Sequence, residues 1–251
     1  MAWLGGGAFA AALAYLVYFY AVTLADPAAA SGRSLPIAIL INLAMFALFA
    51  LHHSVFARAG AKRWVRRVVP AALERTLYVL VASALLVLVC VWWQPLPGLV
   101  YEAHGLARFG LFLAQGTGAV LTIAGARLLD PRSLAGISGF RGSGVPGFRG
   151  SVPEFQGSEV SGFRGSGLDQ PEPLEVAGPF GLVRHPIYLG WVLMVAAAPT
   201  LTVNRLVFAA ISSAYLILAI PWEERSLVEV HGDRYRDYQR AVRWRLLPGI
   251  W

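Results

Sequence analysis

The chain has 251 residues, of which 57% are hydrophobic and only 14% are charged. A soluble domain of this size exposes far more charge, so the composition predicts an integral membrane protein in contact with lipid. Lysines and arginines number 21 against 14 acidic residues, but they lie between apolar runs, which is typical of topology signals and not of a nucleic-acid surface. The single cysteine, Cys90, excludes a disulfide framework and a cysteine-based metal site, and we predict no metal ligands.

The first half of the chain carries four apolar runs, each close to the ~20 residues that a bilayer requires. They lie at about 3–24, 35–56, 76–93 and 106–129. These runs predict an all-α, polytopic fold whose N-terminal membrane region of four helices covers residues 1–131.

Two features of this region predict its orientation and packing. The densest basic cluster of the first half lies between Arg58 and Arg67, and the positive-inside rule places it in the cytoplasm together with the N-terminus. Trp92 and Trp93 are expected to anchor the third helix at the other interface. The small residues around Gly118, inside the fourth run, favour close helix packing.

The composition changes abruptly between residues 132 and 177, where Gly, Ser, Arg and Phe dominate. The heptapeptide Ser-Gly-Phe-Arg-Gly-Ser-Gly occurs at 138–144 and again at 161–167. Its period is too short for a solenoid unit and its composition too polar for a core, so we predict a disordered cytoplasmic insertion. A tether that binds lipid or RNA through its recurring arginines is the alternative.

A polar, glycine-bearing segment at 178–191 begins the last region of the chain, 178–251. Pro186 restricts His185 to an extended backbone and favours a helix beginning at Pro186 itself. The free N–H groups of such a helix end attract an anion. Apolar runs at about 188–203 and 206–220 then predict a membrane hairpin, giving five to six transmembrane helices in all.

The tail after Pro221 alternates arginines with aromatic residues. Residues at helical spacing lie along one face of a predicted helix, away from most of the arginines, which suits a helix lying on the inner membrane surface. They are Glu224, Val228, His231, Tyr235, Tyr238 and Val242.

The membrane hairpin brings the 178–191 segment and this tail to the same side of the membrane. Their combined groups suit S-adenosylmethionine: Arg184 or the helix end for its carboxylate, Glu223 or Glu224 for its ammonium or ribose, and aromatic faces for its sulfonium. The alternative is that the acids complement a helix dipole and the tyrosines anchor the interface.

The order and spacing of both segments resemble the signature of the isoprenylcysteine carboxyl methyltransferase and phospholipid methyltransferase superfamily. The matching residues are Arg184-His185-Pro186-x-Tyr188-x-Gly190, then Glu223-Glu224-x-x-Leu227, Gly232-x-x-Tyr235-x-x-Tyr238-x-x-x-Val242 and Pro248. The resemblance implies an S-adenosylmethionine pocket lined or shaped by His185, Tyr188, Leu189, Gly190, Glu223, Glu224, Tyr235 and Tyr238. It also implies catalytic roles for Arg184 and His185.

The first half is similar to a bacterial branch of this superfamily that includes methanethiol S-methyltransferases and NnrU-type proteins. The similarity rests on His53-Ser54-Val-Phe-Ala-Arg58, Trp64, Pro70 and Glu74-Arg75-x-x-Tyr78. It implies that His53, Glu74 and Arg75 face the substrate and that His53 serves catalysis. Interfacial solvation and a Glu–Arg pair are the alternative for these charges.

These residues together predict a membrane methyltransferase that uses S-adenosylmethionine to methylate a small thiol, in the bacterial inner membrane, with its active site and both termini cytoplasmic. A prenylcysteine or phospholipid acceptor is the enzymatic alternative. A haem-binding NnrU-like protein is the non-enzymatic one, although the helix after Arg-His-Pro lacks the further histidine those relatives usually carry.

Overall fold

A computed structural model describes residues 2–56, 58–129, 174 and 176–251. The first half contains α1 (Ala2–Ala21), a 3-10 turn (Thr23–Ala25), α2 (Leu35–Phe56), α3 (Ala59–Val65), α4 (Ala71–Val91), β1 (Leu99–Glu102) and α5 (Gly105–Leu128). The second contains a 3-10 turn (Gly178–Gly181), α6 (Pro186–Ala196), β2 (Thr200–Thr202), α7 (Val203–His231) and α8 (Asp233–Ala241). The predicted insertion at 132–177 lies almost wholly outside the described residues.

Five helices in the described part of the chain are long and apolar enough to cross a membrane: α1, α2, α4, α5 and α7. The all-α, polytopic membrane bundle predicted from the sequence is therefore confirmed. Helix α6 has only 11 residues, but the chain continues from it into β2, which pairs antiparallel with β1. This pairing defines a "sheet end" of the bundle. The other end, where α2, α5 and α7 finish, is the "site end".

Polar side chains tie the helices together at the sheet end. The side-chain amide of Asn42 donates to the backbone carbonyl of Gln94 at 2.9 Å and accepts from its backbone N–H at 2.7 Å. Asn204 accepts from the indole N–H of Trp93 at 3.1 Å and from the backbone N–H of Leu96 at 2.8 Å. Trp93 is 5% exposed, so its predicted role as an interface anchor is wrong: the buried amide of Asn204, distant in sequence, draws it into the core.

Arg205 closes the end of α1 at this side of the molecule. Its guanidinium donates to the carbonyl oxygens of Tyr20, Ala21 and Thr200 at 2.7 to 3.3 Å. The last carbonyls of a helix have no partner within it and carry partial negative charge, so a cation there stabilises the end.

The main core lies in the sheet-end half and draws residues from both halves of the chain. An aromatic group of Phe19, Phe46, Trp93 and Phe208 packs edge to face, with ring centroids 5.7 to 6.4 Å apart. These contacts pack α1, α2, α7 and the segment just after α4 against one another.

Helices α5 and α6 meet through small residues. A Cβ atom on Gly118 would lie 2.5 Å from the carbonyl oxygen of Gly190, and one on Gly190 would lie equally close to that of Gly118. One on Gly125 would lie 2.7 Å from the Ile187 side chain. The close packing predicted around Gly118 is therefore confirmed, and it brings the beginning of α6 against the last turns of α5.

Three predicted boundaries are corrected by the structure. Helix α4 begins at Ala71, five residues before the predicted start at Thr76, because Glu74 pairs with Arg66 and is accommodated in the first turn. Helix α7 continues through Pro221 instead of ending there. The tail is accordingly not one separate surface helix: Gly232, with a φ of 59°, divides it into the last turns of α7 and the short α8.

Candidate active site

The 178–191 segment is held by the C-terminal tail through its backbone. A positive φ of 59° at Gly178 starts the 3-10 turn, a conformation that glycine adopts without steric cost. The backbone N–H groups of Arg184 and His185 then donate to the carbonyls of Trp244 and Arg245, at 2.9 Å each. Helix α6 begins at Pro186, as predicted.

A buried ion pair joins the two segments. Arg184 Nε lies 2.6 Å from Glu224 Oε1, and their side chains are only 7% and 5% exposed. The same guanidinium donates to the carbonyl oxygens of Val242 and Arg243 at 2.8 and 2.9 Å. Buried charges of this kind require complete pairing. Through these contacts Arg184 connects the segment just before α6 to α7 and to the C-terminal tail.

The second oxygen of Glu224 is also engaged. Gln239 Nε2 donates to Oε2 at 3.3 Å and Arg245 Nε at 3.2 Å. With Arg184 on the other oxygen, Glu224 joins α7 to α8 and to the segment after it. The carboxylate is thus a structural centre of the site.

Glu223, one residue earlier, is in a different environment. Its side chain is 43% exposed, and Oε2 accepts from the hydroxyl of Tyr188 at 2.7 Å. The Tyr188 ring in turn stacks on the His185 ring with centroids 5.3 Å apart. Glu223 and the partly exposed Tyr188 therefore form an accessible polar and aromatic surface, and the buried His185 ring is stacked against Tyr188.

His185 is 6% exposed and lies between the two carboxylates. Nδ1 is 3.8 Å from Glu223 Oε2, and Nε2 is 3.4 Å from Glu224 Oε1. The second distance is within ion-pair range, but the atoms are not aligned as a hydrogen bond, and Nε2 is a buried atom with no hydrogen-bond partner among the described residues. Such an atom is a candidate contact for a ligand.

The predicted site tyrosines Tyr235 and Tyr238 are buried in the core next to the site. They are 1% and 7% exposed and pack with Phe180. Burial raises the pKa of Tyr238 to about 12, so its phenol stays protonated and donates to the carbonyl of Phe180 at 2.7 Å. The alternative of interfacial anchors is wrong for both, because their rings lie in the core.

Two other predicted cofactor residues lie on the helix α6 faces that pack inside the protein. Gly190 faces α5, as described above. Leu189 is 9% exposed and belongs to a small apolar cluster with Val183, Ile220 and Leu246.

Two clefts adjoin the Arg184–Glu224 pair. One of about 400 Å³ lies between α7 and α8 and is lined by Glu224, Arg225, Glu229, Gln239 and Arg245, among others. The other, of about 440 Å³, is mainly apolar and includes Leu121, Val183, Leu189 and Trp244. Sites for small ligands occupy about 300–1,000 Å³, so each is large enough for one.

Curated proteins of one kind are similar to most of this chain. Methanethiol S-methyltransferase 2 of Bradyrhizobium diazoefficiens is 34% identical over 212 residues, which are 84% of this chain and 74% of the relative. Methanethiol S-methyltransferase of Pseudomonas deceptionensis is 35% identical over 229 residues, or 87% and 76% of the two chains. The Mycobacterium tuberculosis protein of the same name is 32% identical over 212 residues, or 84% and 78%.

The chain belongs to the methanethiol S-methyltransferase family. No family model and no solved structure matches it. The relatives confirm that this family member is a membrane methyltransferase, as the sequence motifs predicted.

The predicted substrate residues of this methyltransferase lie where α2 and α4 meet. His53 Nδ1 is 3.0 Å from the hydroxyl of Tyr78. Glu74 is buried and pairs with Arg66 at 2.8 Å. Arg75 lies within electrostatic range of Tyr78. The Glu–Arg pair expected for Glu74 exists, but its arginine is Arg66, which lies in the loop before α4.

Sequence reasoning missed three polar groups beside His53. Ser54 Oγ and the Tyr215 hydroxyl are hydrogen-bonded at 2.9 Å, and the Tyr78 ring stacks on that of His52 at 5.6 Å. Tyr78 was part of the matching motif but carried no role. Tyr215 lies in an apolar run with no local signal, and only the packing of α7 against α2 reveals it.

Proposed function

We propose that this methyltransferase transfers the methyl group of S-adenosylmethionine to methanethiol at the site end of the bundle. The observation that carries the proposal is the buried Arg184–Glu224 pair, which holds the two family motifs together beside the exposed Glu223, with Tyr188 bonded to Glu223 and stacked on His185. The names of the relatives support the acceptor.

The donor set of this surface fits S-adenosylmethionine. The compound carries a carboxylate, an ammonium group, ribose hydroxyls and a sulfonium. Glu223 is the accessible carboxylate for the ammonium or ribose, and the ring of Tyr188 is an aromatic face suited to a cation. The N–H groups at the beginning of α6 suit the carboxylate. The orphaned Nε2 of His185 is one further contact.

Bound S-adenosylmethionine supplies an electrophilic methyl group on a cationic sulfur. The protein has to align the acceptor sulfur with that methyl group and exclude water. Methanethiol attacks as its thiolate, so its proton must be accepted first. His53 is the proposed acceptor, because it lies in the last turn of α2, at the site end of the bundle, and is exposed. Arg184 and Glu224 act by positioning, and Tyr235 and Tyr238 by supporting them.

The proposed orientation follows from charge. The basic cluster between α2 and α4 lies at the site end, so the positive-inside rule puts the site and both termini in the cytoplasm of a bacterial inner membrane. A water-soluble methyl donor then reaches the site directly. A small apolar thiol can reach it between the helices from the bilayer.

Methyl transfer by membranes that contain the protein tests this function. Labelled S-adenosylmethionine is offered with methanethiol or with a prenylcysteine analogue, and volatile and lipid-extractable label are counted separately. We expect label in dimethyl sulfide only. Label in the prenyl product alone would overturn the acceptor, and transfer to neither would overturn the proposed function.

A further inference from the structure

The carbonyl oxygen of His53, in the last turn of α2, is contacted from the neighbouring helix α4. A carbonyl oxygen has two lone pairs, so it can accept a side-chain hydrogen bond besides any bond from its own helix. The hydroxyl of Tyr78, on α4, lies 3.3 Å from this oxygen. A carbonyl can only accept, so in this contact the phenol must donate.

The same hydroxyl also contacts the ring of His53, at 3.0 Å from Nδ1. A phenol has one proton and cannot donate it to both acceptors at once. Both contacts are satisfied when the phenol donates to the carbonyl and Nδ1–H donates to the phenol oxygen. This arrangement fixes the tautomer of the ring, since the partner of one nitrogen decides which nitrogen carries the proton.

We propose that Tyr78 is a positioning residue that holds neutral His53 in its Nδ1–H form, so that Nε2 is the free base that accepts the thiol proton. The inference deepens the proposed function and rests on it for the identity of the thiol. Among the described residues no group is hydrogen-bonded to Nε2 of His53, and the side chain is exposed.

The surroundings suit this base. His53 lies in the last turn of α2, where the helix dipole favours a cation and so favours the imidazolium that forms. Tyr215 holds the neighbouring Ser54 from α7, and Tyr78 and Tyr215 lie within electrostatic range of Tyr188 on the donor surface. The proposed base and the proposed donor contacts thus lie at the same end of the bundle.

The proton and electron pairs balance in this step. The S–H proton moves to Nε2, and the pair left on sulfur forms the new S–C bond. The pair of the broken donor C–S bond stays on the donor sulfur, which becomes a neutral thioether. The imidazolium then releases its proton to solvent.

A spectroscopic measurement tests the tautomer without turnover. The chain has five histidines, so nitrogen NMR of histidine-labelled protein in micelles is tractable, and His53→Gln assigns the His53 signals. We expect Nδ1 protonated and Nε2 bare in the wild type. Tyr78→Phe keeps the ring, and we expect it to move His53 toward the Nε2–H form. A wild-type ring already protonated at Nε2, or no change in Tyr78→Phe, would overturn the inference.

A double-mutant cycle tests the catalytic consequence. His53→Gln should lower kcat by about 100-fold and Tyr78→Phe by about tenfold, without a change in donor affinity. Because Tyr78 acts through His53, the double variant should be no slower than His53→Gln alone. Losses that multiply would contradict the proposal.

The control is Tyr101→Phe, which removes a phenol that donates to the Ala198 carbonyl at 2.9 Å at the sheet end. It should leave kcat and the His53 signals unchanged. Absence of transfer by the wild type would refute the proposed function, whereas the NMR result would still decide the role of Tyr78.

Discussion

At the scale of single residues, the adjacent carboxylates of Glu223 and Glu224 have different environments and different roles. Glu224 points into the protein and is paired with Arg184. Glu223 is 43% exposed, and among the described residues only the Tyr188 hydroxyl is hydrogen-bonded to it. The separation follows from helical geometry, because successive side chains of α7 point about 100° apart. One glutamate therefore joins the motifs, and the other is available to a ligand.

The Glu224→Gln variant tests the structural role of the pair. Removing one charge leaves Arg184 buried without its counter-ion, which typically costs about 3–5 kcal/mol. We expect a clear fall in the midpoint of thermal unfolding in detergent. Asp233→Asn is the control, because it disrupts an exposed pair with Arg236 and exposed pairs contribute little. Equal midpoints for the two variants would show that the buried pair does not hold the site.

At the scale of elements, the contact between α5 and α6 fixes the position of the site. Helix α6 is short, so its own hydrogen bonds give it little stability. Its glycine face lies directly on α5, and its first residue follows His185. A displacement of Gly190 would therefore also displace Tyr188 and His185, which lie just before it in the chain.

Gly190→Ala tests this contact. The added methyl group would meet the Gly118 carbonyl at 2.5 Å, and overpacking of this kind costs about 1–3 kcal/mol. We expect a lower unfolding midpoint and weaker donor binding. Gly116→Ala is the matched control, because no atom lies within 4 Å of the added carbon and alanine favours a helix. Wild-type behaviour of Gly190→Ala would contradict the importance of this interface.

Helices with a clear local sequence pattern could be predicted, whereas contacts between residues far apart in the sequence could not. Helix α2 matches its predicted bounds of 35–56, and Pro186 begins α6 as its fixed φ favours. The passage of α7 through Pro221 was missed because local preference places a proline at a helix end, whereas packing of Glu224 extends this helix. The pairing of β1 with β2 joins short segments far apart in sequence, which no local signal reveals.

The same limit applies to the site. The spacing of two motifs around a hairpin indicated that Arg184 and the paired glutamates come together. It left open which glutamate is buried, because the answer depends on the rotation of a helix whose end was misplaced. Helical spacing placed Tyr235 and Tyr238 on one face of a predicted helix, but it did not predict that both rings are buried. Tyr215 lies in an apolar run and had no pattern to distinguish it.

At the scale of the whole molecule, the two ends of the bundle have different tasks. The sheet end is fastened by buried polar residues and carries most of the aromatic core. The site end gathers polar groups from both halves of the chain, with His53 and Tyr78 from the first and Tyr188 and Glu223 from the second. Helix α7 carries Glu223 and contacts Ser54, the residue after His53, through Tyr215. The arrangement suits a reaction between two substrates that arrive from different sides.

The most direct test of this account is equilibrium binding of labelled S-adenosylmethionine to the purified protein and to Glu223→Gln. Loss of the accessible carboxylate should weaken binding about tenfold or more, since hydrogen bonds to charged groups contribute about 1.5–3 kcal/mol. Glu102→Gln, at the exposed sheet end, should bind as the wild type does. Unchanged affinity in Glu223→Gln would contradict the placement of the methyl donor on the surface formed by Glu223 and Tyr188.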